Sequence, residues 1–329
     1  MENTIQKKIS VIIPTYNVED YIKRLTDNLE EQTIGIENLD IIFVDDYSED
    51  TTRHLLYDFK NKHLDSVKVC TSAKRELQGH CRNIGLQWAK GDYIAFLDAD
   101  DTLAPEALEI SYNKAIEYNA DLVIFKWKKE GDKPGPTGVN FFTEIKTPKD
   151  KLDFFLKHTN EITRACWDKL YKREFVQRYD LEFSEHVWDE ESLFTTPALM
   201  LAERIYYLNY ILYNYNTKRM DSSAHLMTKD NSANTLDNAI TWARTYDKLQ
   251  SLGIIEKNFE LFEWWFTVNF FYLSWDFNEK RKYSLNPDEI QLLYSYLTDR
   301  FPNWNKNKIL KERGFVSKIE EIVKNANTT

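Results

Sequence analysis

Short apolar runs separated by longer amphipathic stretches fill the first 125 residues, and this rhythm constrains the fold more than any other feature of the chain. Ile9 to Ile13, Asp40 to Val44, Val67 to Cys70, Tyr93 to Leu97 and Leu122 to Phe125 are the strand candidates. They show no alternation of apolar and polar residues, as expected of parallel strands covered by helices on both faces. The stretches between them, Glu19 to Gln32, Asp50 to Lys62, Gly79 to Lys90 and Pro105 to Tyr118, are long enough for crossover helices. In the first of these, Tyr21, Leu25 and Leu29 fall on one stripe. The reading is an α/β fold built on a mostly parallel, Rossmann-like sheet.

After Phe125 the pattern changes. Lys126 to Pro148 gathers Gly131, Pro134, Gly135, Pro136, Gly138 and Pro148, which predicts a loop or a seam between two lobes. A mixed segment runs to about Thr217, and from about Asn231 helical spacing takes over, with Leu236, Ile240, Ala243, Tyr246 and Leu249 on one face. The expected organisation is one α/β domain over residues 1–217, with halves 1–125 and 126–217, and a smaller helical domain over 218–329. The aromatic stretch Phe259 to Phe277 includes Trp264, Trp265, Phe266, Phe270, Phe271, Tyr272 and Trp275, but Glu263 and Asp276 bracket a run too short to span a bilayer. A buried helix is expected there; the competing reading is peripheral membrane contact or a homo-oligomer formed through these helices.

Composition excludes some partners. With 43 Lys and Arg against 53 Asp and Glu, the formal charge is −10, which disfavours gripping nucleic acid or anionic lipid through net charge. Cys70, Cys81 and Cys166 suit neither a disulfide framework nor a zinc-ligand spacing, so they are expected to be core residues in a reducing compartment. The opening residues lack a basic start and a long apolar stretch, so the expectation is a cytoplasmic protein, with the inner face of the cell membrane as a peripheral location.

Ligands of open α/β sheets bind beyond the carboxyl ends of the strands. The first strand candidate runs into Pro14-Thr15-Tyr16-Asn17, the second into Asp45-Asp46-Tyr47-Ser48 and the fourth into Asp98-Ala99-Asp100-Asp101. The third leads through a polar loop to Gly79-His80-Cys81-Arg82-Asn83-Ile84-Gly85. So many carboxylates at strand tips repel one another unless they face water, a cation or hydrogen-bond donors. Asp98 and Asp100 can present oxygens to one hard divalent ion, Mg²⁺ or Mn²⁺, that keeps positions open for phosphate oxygens. The competing reading is an acidic turn that is solvated or caps a helix.

Taken together over roughly residues 8 to 125, these motifs resemble the family 2 glycosyltransferases, inverting enzymes with the GT-A fold, in the bacterial type that carries a C-terminal helical extension. The resemblance implies a single sugar moved from a nucleotide diphosphate donor, most often a UDP-sugar, to a hydroxyl of a cell-surface glycan, glycolipid or glycoprotein. The acceptor would be glycan, lipid-linked or protein, in polysaccharide biosynthesis. It implies that Pro14, Tyr16, Asn17, Glu19 and Asp46 surround the nucleoside, with Arg82 and Asn83 nearby. Asp98 would hold the ribose or a metal-bound water, Asp100 would ligate the metal, and Asp101 would support them. For Asn83 the bland alternative is a residue that braces a loop. Tyr47 stands where the family usually has Gly.

The second half carries a further likeness in Cys166-Trp167-Asp168-Lys169-Leu170-Tyr171, Phe183 and Asp189-Glu190-Glu191-Ser192-Leu193-Phe194. In the family an acidic pair here opens a helix and supplies the general base. Glu191 stands where Asp is usual, so the base is left open among Asp189, Glu190 and Glu191, against the alternative that they favour a helix dipole. Tyr213, Tyr215, Arg219 and Ser222 are similar to a strand and an Arg-containing loop that closes over the phosphates, and His225 could approach the metal. The rivals are a nucleotidyltransferase, for which no glycine-rich phosphate loop is present, and a sugar-binding or scaffold protein with a degenerate site, for which Tyr47 and Glu191 are the hints.

Overall fold

The computed structural model describes residues 6–129, 135–159, 161–187, 189–217, 237–280 and 285–327. Strands and helices alternate as expected: β1 (Ile9–Thr15), α1 (Glu19–Glu30), β2 (Leu39–Asp45), α2 (Thr52–Lys62), β3 (Val67–Thr71), α3 (Leu77–Trp88), β4 (Tyr93–Phe96), β5 (Thr102–Leu103), α4 (Ala107–Glu117) and β6 (Leu122–Lys129). Every residue of β2 is buried, and so is every residue of β1 except Pro14, which explains the missing alternation. Then come β7 (Gly135–Pro136), β8 (Phe141–Glu144), α5 (Pro148–Lys157), β9 (Lys169–Lys172), α6 (Arg173–Arg178), α7 (Ser192–Leu201) and β10 (Arg204–Tyr215).

The strands form one sheet in the order β3-β2-β1-β4-β9-β6-β10-β5, with β7 and β8 also on β10. β1 pairs in parallel with β2 and β4, β2 with β3, and β6 with β10. β9 lies between β4 and β6, antiparallel to both. Irregularities between Leu208 and Tyr213 bend β10, which also pairs with β8, β7 and β5 along its length. The arrangement is the GT-A architecture, a mostly parallel sheet followed by helices.

The stretch from Lys126 to Pro148 departs from the expected loop. β6 continues to Lys129, and β7 and β8 add to β10, with Gly135 and Pro136 themselves part of a strand. Pro148 occupies the first turn of α5, where its missing N–H costs nothing, and Thr147 with Asp150 forms a capping box ahead of it.

Beyond the sheet the described chain is helical: α8 (Asp237–Ser251), α9 (Ile254–Lys257), α10 (Phe259–Phe266), a π-helical stretch Thr267–Tyr272, α11 (Leu273–Lys280), α12 (Pro287–Arg300), α13 (Lys308–Glu312) and α14 (Phe315–Ala326). Most of the aromatic run is buried, with Phe262 and Phe266 inaccessible, while Phe259 at its start is 49% exposed and Tyr272 and Trp275 are partly so. These helices share one apolar core with the sheet face under α3 and α7, in a cluster that runs from Ile12 and Val44 through Phe194 to Trp242, Phe266 and Ile319. The opposite face packs Val11, Ile13 and Ile41 against α1, α2 and α4 through Leu25, Leu56 and Leu108. All three cysteines are free, with Cys81 and Cys166 buried and Cys70 partly so. Among the described residues no helix is long and apolar enough to cross a membrane.

Candidate active site

The parallel register places Thr15 beside Asp45, so the turns after β1 and β2 meet at one edge. Asp45 is inaccessible and closes its own turn, accepting from Ser48 Oγ at 2.5 Å and Ser48 N–H at 3.1 Å. Asp46 points the other way: its oxygens accept the N–H groups of Glu76 at 2.7 Å and Leu77 at 2.9 Å, tying β2 to the start of α3. Asn17, at φ 47°, donates its N–H to Ser48 Oγ at 3.0 Å and accepts from Glu49 N–H at 2.9 Å. Glu19 accepts the N–H and hydroxyl of Thr51. The Arg75 guanidinium lies 4.1 Å over the Tyr16 ring. Tyr47 sits at φ 64°, in the left-handed region, and is 46% exposed. That backbone accounts for the glycine expected there.

After β4 the acidic turn is held from three sides. Asp98 N–H donates to the Tyr213 hydroxyl at 3.3 Å, Arg24 donates to the carbonyl of Asp100, and β5 pairs Thr102 and Leu103 with Asn214 and Tyr213. This pairing brings the Tyr213 hydroxyl to Asp101 Oδ2 at 2.5 Å and the Asn216 N–H to its Oδ1 at 2.6 Å. Burial pushes the Asp101 carboxyl up to about 8, and the charges of Asp98 and Asp100 push the same way. Negative charge is thus crowded here, a condition that a cation relieves. Among the described residues no group of three or more His, Cys, Asp or Glu could hold a metal by itself. Asp98 and Asp100 fit the sparser pattern of Mg²⁺ or Mn²⁺, which take one or two carboxylates and fill their shell with water and substrate phosphates.

The second acid group opens α7. Glu190 is 1% exposed and takes Nη1 of Arg82, whose Nη2 donates to Asp98 Oδ1 at 2.7 Å. Arg82, equally buried, therefore joins the two acid sites. Burial raises the Glu190 carboxyl to about 8 against the pull of Arg82. Glu191 is partly exposed and accepts the Cys166 N–H at 2.7 Å, and burial raises its pKa as well. Asp189 stands apart, 3.8 Å from Arg164. The Cys166 amide is fixed because residues two and three places further on anchor its loop: Asp168 and Lys169 form a buried ion pair, and Lys169 Nζ also donates to the carbonyls of Thr163 and Ala165.

Asn83 exchanges hydrogen bonds with the backbone of Phe183 and also donates to Glu185, so its carboxamide braces the loop ahead of the acid pair. Pro14 is the one partly exposed residue of β1. Arg219, Ser222 and His225 lie outside the described residues. Two features were not foreseen from the sequence. One is the bridging part played by Arg82; the other is Trp127, which the strand boundary at Phe125 hid although it lies toward the carboxyl end of β6.

The family model described as glycosyl transferase family 2 matches residues 10–180. A poly(ribitol-phosphate) beta-glucosyltransferase of Bacillus spizizenii is 32% identical over 199 residues, 60% of this chain and 30% of that protein. This chain spans about a third of the length of the curated relatives of this kind. A crystal structure of S. aureus TarS in complex with UDP-GlcNAc superposes with a TM-score of 0.69 at 20% identity, over 97% of this chain and 89% of that one. A mannosyltransferase from Pyrobaculum calidifontis in complex with GDP-Man and Mn²⁺ gives a TM-score of 0.53 at 16% identity, over 99% and 87%. With the family model covering more than half of its length, the chain belongs to glycosyl transferase family 2.

Proposed function

We propose that this protein transfers one sugar from a nucleotide diphosphate sugar, with UDP as the favoured nucleotide, to an acceptor hydroxyl with inversion at the anomeric carbon. The observation that carries the reading is the pair of acid sites, Asp98 with Asp100 after β4 and Glu190 with Glu191 before α7, held in one frame by Arg82. The family supports the reaction class, and the UDP-GlcNAc bound by S. aureus TarS supports the nucleotide.

In this reading the donor lies along the ends of β1, β2 and β4, bordered by Pro14, Tyr16, Asn17, Glu19 and Asp46. Asp98 and Asp100 would hold Mn²⁺ or Mg²⁺, whose charge would offset that on the departing diphosphate. Glu191, raised by burial and partly exposed, takes the proton of the attacking hydroxyl. Glu190 is too enclosed for that task and serves with Arg82 to position its neighbour. The acceptor is a cell-surface glycan, glycolipid or glycoprotein, and we assign residues 1–217 to the transfer domain and 218–329 to a helical domain that shares its core. The test is release of UDP from UDP-sugars with and without acceptor, in Mn²⁺ and after chelation. Failure to bind any nucleotide sugar refutes the reading.

A further inference from the structure

Beside the candidate base lies a group of aromatic rings that the donor site does not use. Trp167 follows Cys166, the residue whose amide holds Glu191, and stacks on Tyr213 with centroids 4.4 Å apart and planes 24° apart. It is also near-parallel to Tyr215, at 5.9 Å and 20°. Trp127 stands almost perpendicular to Trp167, at 5.5 Å and 87°, and to Tyr215, at 6.0 Å and 71°. Trp127 is 38% exposed, and Trp167 and Tyr215 are partly exposed. The corner therefore has near-parallel rings on one side and a wall at right angles to them. The Tyr215 hydroxyl is pushed up to about 12 by burial and by the charges of Asp101, Asp98, Asp100 and Glu191, which places it within the field of both acid sites.

We infer that this corner, Trp127 with Trp167 and Tyr215, is the acceptor subsite and takes the pyranose ring of a glycoside, not an acyclic polyol phosphate. The inference rests on the proposed transferase activity. A pyranose has an apolar face of C–H groups and a rim of hydroxyls, so it gains by covering an aromatic face while one hydroxyl reaches a base at the edge. A polyol phosphate has no such face, and its anion would meet the negative charge of the base Glu191. Neutral sugars incur no such repulsion.

The experiment is saturation-transfer NMR on the full chain with UDP and Mn²⁺. The probes are methyl glycosides of gluco, galacto, manno and N-acetylglucosamine configuration, with ribitol 5-phosphate and glycerol 3-phosphate alongside. At least one glycoside should show transfer to its ring protons. Trp127→Ala should weaken that glycoside about fivefold to tenfold and Trp127→Phe should restore it, because the ring and not the indole N–H is needed. No transfer from any glycoside, equal binding to Trp127→Ala, or preferential binding of a polyol phosphate would overturn the inference. UDP binding by the wild type, followed separately by calorimetry, reports on the underlying transferase reading, so the two can fail independently.

Discussion

Replacing Arg82 with Met tests the link between the two acid sites through stability. Arg82 and Glu190 are each only 1% exposed, so at pH 9, above the Glu190 pKa of about 8, the substitution leaves a carboxylate inside the protein without its cation. Breaking a buried pair in this way costs about 3 to 5 kcal/mol, a large share of a total stability of roughly 5 to 15 kcal/mol. With a urea dependence of about 1 to 3 kcal/mol per molar, the midpoint should fall by at least about 1 M. Lys23→Ala is the control, because Lys23 and Asp27 form a pair with side chains 86% and 50% exposed, and such surface pairs contribute about 0 to 1 kcal/mol. Adding Glu190→Gln to Arg82→Met removes the stranded charge, so the double variant should be more stable than the sum of the single losses by about 0.5 to 3 kcal/mol. Urea titrations at pH 9 followed by circular dichroism measure the wild type and the four variants. A midpoint for Arg82→Met matching that of Lys23→Ala, or strict additivity with Glu190→Gln, would refute the argument.

Asp100→Ala should abolish transfer and Mn²⁺-dependent nucleotide binding with the fold intact on circular dichroism, because the residue lies in a turn outside the core. Asp46→Ala should lower nucleotide affinity by about tenfold in calorimetry, through the two N–H groups released at the start of α3 beside the proposed nucleoside site. Glu191→Gln should retain nucleotide affinity and lower kcat by about a hundredfold or more, since the amide cannot take the acceptor proton; unchanged kcat there and in Glu190→Gln and Asp189→Asn would remove the base from this segment. Glu190 has its carboxyl raised from 4.5 to about 8 in the folded protein, so the native state holds the extra proton between those values. Its contribution to stability is complete below pH 4.5 and is lost as pH rises through about 8, and Glu190→Gln should flatten the measured stability across that window.

The rhythm of strands and helices was legible because each element declares itself locally, by an apolar run or a 3.6-residue stripe. What depends on distant partners was not. β9 enters the sheet antiparallel between β4 and β6, and nothing in Lys169 to Lys172 names those neighbours. Adjacent acids show the same limit within the site. Asp45 and Asp46 are neighbours in sequence, yet one closes a turn on Ser48 and the other caps α3. Glu190 and Glu191 read as an interchangeable pair until Arg82 encloses the first and Cys166 orients the second. The aromatic corner was half legible: Trp167, Tyr213 and Tyr215 stood in recognisable segments, but their meeting with Trp127 depends on β6 and β10 running side by side.

One helix explains why the two acid sites keep a fixed separation. On α3, Gly79, Arg82 and Asn83 follow the i, i+3, i+4 spacing of a single face, and all three meet the segment from Phe183 to Glu190. Gly79 must lack a side chain, since a Cβ there would fall 2.2 Å from the Ser184 carbonyl oxygen. Gly85 lies against β1 for the same reason, because its Cβ would fall 2.3 Å from Ile12 Cγ2. The helix is thus seated on β1, whose end meets the turn after β2, and on the segment that carries the acid pair, with no slack at either contact. Its first turn is held by Asp46 and its middle by Asp98 through Arg82. A shift of α3 along its axis would therefore disturb Asp46, Asp98 and Glu190 together, which is why the spacing between the two acid sites is a property of this helix rather than of the loops that carry the acids.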